Sequence, residues 1–384
     1  MRRIAIALTA VVALTVRIAA HENWCGYDYV VIGPVVDGLI ASNLTDLNDR
    51  GKIVGVARDP TPLSHQDSSF LLAGARFKEQ IVVPGEDVVV ANKINNAGVI
   101  VGSADLIAFR RAASGQIETL SVPCPSTAGG GARATGVNGH GVVVGLFFSA
   151  PNSRCFPTTP SVGFIWDGSN VQLLGQPPFI QPAPNAGWFV PQGINNAGTI
   201  VGYANVTPEQ TLAISYENGV FTAFELPAEI QFDAHGRRPS LFFDINEHGA
   251  IVGQYRASSA SQFLDFTVHS FVQEPTGEFV PIDVPLGGCV QDPNSTRPPT
   301  CTSTWAYGIN DAGDVTGEAD VVTVVNGLTQ HLRIGFVARP RVCSDPSAPT
   351  TLALPSDRRA DSSRDPQLRR KLGDGREQDG RSGR

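Results

Sequence analysis

The chain has 384 residues, rich in Gly (40) and Pro (28), with six Cys, one Met and a formal net charge of −7. That length suits one large all-β domain or two ordinary ones. The acidic balance excludes a typical nucleic-acid binder, which needs the opposite charge, and no long apolar run after the N-terminus offers a membrane span.

Residues 1–20 read as an export signal. Arg2 and Arg3 form a basic start, "IAIALTAVVALTV" (Ile4–Val16) is short for a bilayer crossing, and "RIAA" offers cleavage near Ala20. An uncleaved anchor is the alternative, against which Arg17 interrupts the apolar run. No stable membrane insertion is expected after cleavage. Six cysteines, none in a C-x-x-C pair, suit an oxidising compartment and argue against a zinc or redox site. Removing the leader (three Arg) and residues 356–384 (nine basic, six acidic) leaves about −13 on the remainder.

"YDYVVIGP" (Tyr27–Pro34) then looks like an outer strand with no partner strands before it. A repeat follows: "LNDRGKIVG" (Leu47–Gly55), "INNAGVIVG" (Ile94–Gly102), "VNGHGVVVG" (Val137–Gly145), "INNAGTIVG" (Ile194–Gly202), "INEHGAIVG" (Ile245–Gly253) and "INDAGDVTG" (Ile309–Gly317). Asn48, Asn95, Asn138, Asn195, Asn246 and Asn310 each open a turn in which the side chain bonds the backbone two residues on. Gly51, Gly98, Gly141, Gly198, Gly249 and Gly313 close it in the left-handed conformation. The second Gly, inside the returning strand, is read as letting a neighbouring blade approach.

Each hairpin leads to a small-residue–aromatic motif such as "VGF" at Phe164 or "HSF" at Phe271, a polar turn such as "YENGV", and a last strand such as "VFTAFELP". Four short strands in about fifty residues is the period of a propeller blade. The expected fold is therefore all-β: a six-bladed β-propeller of four-stranded antiparallel blades, spanning 21–345 as one domain. An open β-solenoid of hairpin repeats is the alternative, and it would need capping ends.

The pattern resembles the HAF repeat family of extracellular proteins. "HSF" (His269–Phe271) is near that family's name motif, and "GINNAGTIVG" near its hairpin. The resemblance covers roughly Tyr27–Pro340 and implies a repeat architecture and an extracellular location; it implies no reaction or ligand.

The last repeat lacks a clear fourth strand. Tyr27–Pro34 is expected to supply it and close the ring, with "TLALP" (Thr351–Pro355) as rival. Cys25 and Cys343 flank the pairing strands and would bond, a long-loop bridge worth about 4–5 kcal/mol in the chain-entropy model. Cys124–Cys155 and Cys289–Cys301 are expected to brace long loops. The charged tail, 346–384, is expected to be disordered.

Turns between first and second strands, and between third and fourth, are short. The other links vary in length and share the opposite rim, which is therefore the expected binding face. Trp188, Phe243, Trp305 and Tyr307, with Arg133, Asp244 and Lys93, are placed at its channel mouth; for the aromatics, wedging between blades is the alternative. Calcium-loop, metalloprotease, nucleophile-elbow and P-loop patterns are missing from the sequence, and no metal or cofactor is expected. The reading is an exported, monomeric, non-catalytic binding or scaffold protein recognising an extracellular polysaccharide or protein. A propeller glycoside hydrolase or lyase with channel carboxylates is the alternative, since two carboxylates from different blades can face one substrate.

Overall fold

The computed structural model describes residues 26–32, 40–58, 68–120, 130–148, 161–180, 188–207, 210–227, 239–257, 267–287, 289–290, 300–325, 328–341 and 352–353. The leader, residues 346–351 and 354–384 of the charged tail, and Cys25, Cys124, Cys155 and Cys343 lie outside them. No helix occurs among the described residues.

The strands form a six-bladed β-propeller, each blade an antiparallel sheet of four strands lettered A to D in meander order. The inner A strands are Ile40–Leu47, Val89–Ile94, Gly131–Val137, Phe189–Ile194, Ser240–Ile245 and Ser303–Ile309. Blades 1 to 5 are built from consecutive strands. In blade 6, Tyr27–Ile32 pairs antiparallel with Leu328–Pro340, from Tyr27 opposite Pro340 to Ile32 opposite Gly335. The N-terminal strand therefore closes the ring. The rival segment has a place too: Leu352–Ala353 pairs in parallel with Tyr29–Val30 as a fifth, outermost strand. At the clasp, Arg341 N–H donates to Gly26 O (3.0 Å), and its guanidinium lies 3.0 Å from Asp28.

A lone four-stranded sheet cannot bury both faces, so each blade must be covered by its neighbours. The six core clusters follow that logic, each straddling one blade-to-blade interface. Val101 and Ala108 of blade 2, for example, pack on Ala132, Ala134, Phe147 and Phe164 of blade 3. Leu44, Leu47 and Phe70 of blade 1 pack on Ile32 and Val337 of blade 6, so the closing interface is as apolar as the rest.

The expected role of the second glycine needs correction. Its tight neighbours belong to its own blade. A Cβ at Gly102 would fall 1.9 Å from Val90 O on strand A and 2.9 Å from the Phe109 ring on strand C. At Gly145 the clashes are with Arg133 O and the Phe164 ring, and at Gly253 with Leu241 O and the Phe271 ring. The glycine lets the motif phenylalanine lie flat over strand B, and Phe109, Phe164 and Phe271 are fully buried as a result.

Candidate functional site

The axis is built from the six A–B turns. In each, the glycine N–H donates to the asparagine carbonyl (2.9–3.1 Å) and the glycine φ lies between +68° and +87°. The asparagine Oδ1 accepts the N–H four residues on at 2.8–3.0 Å in all six turns. It also accepts the N–H two residues on in Arg50, His140 and His248.

The Nδ2 end does something that the turn pattern does not reveal. Asn48 donates to Asn95 O (2.9 Å), Asn95 to Asn138 O (2.8 Å), Asn138 to Asn195 O (3.2 Å), and Asn246 to Asn310 O (3.0 Å). These four of the six repeat asparagines are thus both turn formers and blade-to-blade ties. All six are buried, so these bonds stand in place of solvent.

Two residues upstream of each hairpin aliphatic, strand A carries a β-bulge at one shared position. The extra residues are Thr45, Asn92, Thr135, Gln192, Phe243 and Tyr307. Thr45 and Thr135 hydroxyls and the Asn92 amide donate to the next blade's Ala91, Pro191 and Ala134 carbonyls, each at 2.7 Å. In blades 5 and 6 the position is aromatic instead, and Phe243 meets Tyr307 edge-on (centroids 5.3 Å, 83°).

The next ring inward reads Asp46, Lys93, Gly136, Gly193, Asp244 and Gly308. Lys93 reaches across the axis: its Nζ lies 3.0 Å from Asp244 Oδ2, donates to Tyr307 O at 2.5 Å, and stands 3.9 Å from Asp46 Oδ1. The two carboxylates also accept the backbone N–H of the following blade, Ile94 on Asp46 (2.7 Å) and Ile309 on Asp244 (3.1 Å). Glycines make the room, since a Cβ at Gly193 or Gly308 would strike Asp244 or Asp46. Burial holds the Asp46 carboxyl well above the usual carboxylate range; Lys93 opposes that rise and Asp244 adds to it.

Above this cluster lies a cavity of about 160 Å³, lined by the turn residues and the aliphatic collar that includes Leu47, Ile94, Ile245 and Ile309. It is smaller than the usual ligand pocket of roughly 300 Å³ or more. Its mouth is a second hydrogen-bonded ring, in which Asp49, Glu247 and Asp311 N–H groups donate to Asn96, Asp311 and Asp49 side chains (2.8–2.9 Å). Among the described residues, no group of three or more His, Cys, Asp or Glu side chains is placed to hold a metal ion.

The residues expected at the ligand-facing channel mouth are therefore divided. Lys93 and Asp244 come together, yet they are 5% and 8% exposed, and the cavity they floor opens among the short turns, on the rim opposite to the expected one. Phe243 and Tyr307 wedge between blades 5 and 6. Arg133 stacks on Phe148 of its own blade at 5.2 Å. Trp188, just before the inner strand of blade 4, and Trp305, on the inner strand of blade 6, are half-buried. Cys289 and Cys301 are opposed in a two-residue antiparallel ladder of the long link into blade 6. Asp46 was not foreseen; the signal was its alignment with Lys93 and Asp244, two residues before each asparagine.

No protein-family model matches the sequence, and no curated protein matches it. Among solved structures the chain is similar to a neuraminidase-like protein of A/flat-faced bat/Peru (12% identity, 86% of this chain, 98% of the other, TM-score 0.41). It is also similar to a gluconolactonase from Xanthomonas campestris (11%, 85% and 100%, TM-score 0.37) and to AofleA from Arthrobotrys oligospora (10%, 84% and 92%, TM-score 0.39). Likeness at this level carries no argument about activity, and the propeller stands on the chain's own strand pairings.

Proposed function

We propose that this chain is an exported, non-catalytic propeller that binds a polysaccharide or protein outside the cell through its loop rim. The observation that carries the reading is the filled axis. Asp46 and Asp244, the carboxylates that a channel hydrolase would present to substrate, are buried and engaged by Lys93 and by backbone N–H groups. A general acid must reach the proton it transfers, and these two turn to Lys93 and the following blade's backbone instead. The short-turn rim is likewise committed to its own hydrogen bonds, which leaves recognition to the rim of variable links.

The HAF-like repeat, the monomeric state and the cysteine bridges belong to the same proposal. The described ladder runs to Gly26 and Arg341, one and two residues short of Cys25 and Cys343, and mass mapping of disulfides tests that bridge. The function itself is tested by screening the secreted chain on glycan and protein arrays alongside an oligosaccharide hydrolysis assay. Saturable retention without product release is expected. Turnover that disappears in Asp46→Asn or Asp244→Asn would replace binding with catalysis.

A further inference from the structure

Blade 5 departs from the repeat in one cross-strand row. Strand B residue Tyr255 stands directly opposite strand C residue His269. The same pair reads Ala104–Ile107 in blade 2, Phe147–Val162 in blade 3, Ala204–Leu212 in blade 4 and Ala319–Ile334 in blade 6. Only blade 1, with Ser68 opposite Ala57, brings in another polar group. On the far side of His269, Asp283 follows Ile282, the partner of Ser270, and so extends the row onto strand D. On strands B and C this row elsewhere holds small or aliphatic side chains, with Phe147 in blade 3, and only in blade 5 does it bring Tyr, His and Asp together. Departures of this kind are expected where function overrides packing.

The three side chains hold one another in a fixed geometry. His269 Nδ1 lies 2.8 Å from Asp283 Oδ2, and the Tyr255 ring stacks on the imidazole at 5.2 Å with planes 19° apart. With Asp283 accepting from Nδ1–H, Nε2 is the ring's remaining hydrogen-bonding atom. The row is also reachable, because the His269 side chain is 28% exposed and that of Asp283 40%. Strand C begins, and strand D ends, at the rim of variable links. The row therefore lies on that rim, away from the axial cavity.

We propose that the Tyr255–His269–Asp283 row is a carbohydrate subsite that takes adjacent hydroxyls of a neutral polysaccharide. The proposal rests on the binding reading above and names its ligand class. An imidazole in contact with a carboxylate offers neighbouring polar atoms, Nε2 and the open lone pairs of Asp283, to a pair of vicinal hydroxyls. A hydroxyl both donates and accepts, so it serves either protonation state of the imidazole. A cationic ligand would meet the imidazolium and an anionic one the carboxylate. Stacking on Tyr255 fixes the ring before the ligand arrives, which lowers the ordering cost of binding.

The test titrates malto-, cello-, xylo- and manno-oligosaccharides into the mature chain by calorimetry. It compares the wild type with Asp283→Asn, which keeps shape and polarity, with His269→Leu, and with Glu247→Gln on the opposite rim; unchanged thermal midpoints verify folding. The expected result is that one series binds, that both row variants weaken it at least tenfold, and that Glu247→Gln does not. Sugar binding that the row variants leave within twofold overturns the subsite and spares the binding reading. Retention of proteins but no sugar overturns the subsite alone, and retention of neither overturns both.

Discussion

Four of the six hairpin asparagines, Asn48, Asn95, Asn138 and Asn246, are held at both ends of the carboxamide. Asn138 accepts from His140 and Val142 N–H and donates to Asn195 O of the next blade. Asn138→Ala leaves those buried backbone groups unpaired and is expected to cost about 2–4 kcal/mol in denaturant unfolding. Asn138→Asp, which keeps the acceptor, should recover part of that loss. Equal losses for the two variants would show that only the donated bond matters. Two glycines make a second comparison. Gly198 has φ +85° with nothing within 4 Å of an added Cβ, so Gly198→Ala carries backbone strain alone, about 1 kcal/mol. Gly102 has negative φ but no room, and Gly102→Ala should cost more than about 3 kcal/mol or prevent folding. The turn itself was legible in the sequence, because Asn and Gly three apart have a local meaning. The donor end of the asparagine was not, since its partner lies one blade away at no fixed sequence distance.

At the scale of the strand, the inner edge of the wheel carries two functions in adjacent residues. The bulge residue ties blade to blade, and the residue after it reaches the axis. Alternation along strand A does not reveal this, because one inserted residue changes which side chains turn inward. Lys93 and Asp244 were recognisable as unusual charges in otherwise uncharged strands. Their pairing across the ring from blades 2 and 5 was not recognisable, nor was the addition of Asp46. Removing one partner of a buried ion pair is far costlier than removing both. Lys93→Met should therefore destabilise by about 3–5 kcal/mol, and the double variant Lys93→Met/Asp244→Asn should be the more stable of the two. A double variant that is weaker still would mean that the charges contribute little and that packing of the lysine stem dominates. The Tyr255–His269–Asp283 row was partly visible as the single His in the small-residue–aromatic motif. Asp283 could be joined to it only through the register of strands C and D.

For the whole molecule, the resolved shifts among partly or fully buried acids and the imidazole run in one direction. Burial raises Asp46, Asp311, Asp314 and Glu274; burial pulls His269 down, but the bond and charge of Asp283 outweigh it and raise it above 6.5. In each case the folded chain holds protons that the unfolded chain has released. Their stabilising effect is present below the unfolded values, near 4 for the carboxyls and 6.5 for the imidazole, and is lost as pH rises through the folded values. The thermal midpoint should accordingly be higher at pH 5 than at pH 8, and a midpoint that climbs with pH would contradict these protonation states. Ring closure was legible because the first strand lacked partners and the last repeat lacked a strand. The additional outer strand at Leu352–Ala353 was not, since two residues are too few to carry a strand pattern and their parallel pairing with Tyr29–Val30 falls outside the repeat.

The central claim is that these blades form one closed wheel whose last interface depends on the N-terminal strand. Denaturant unfolding of a chain starting at residue 33, compared with one starting at residue 26, tests it most directly. The account predicts that the shorter chain loses stability in all six blades, read by hydrogen exchange of the inner strands. Loss confined to blade 6, with blades 2 to 4 as protected as before, would contradict the closed ring.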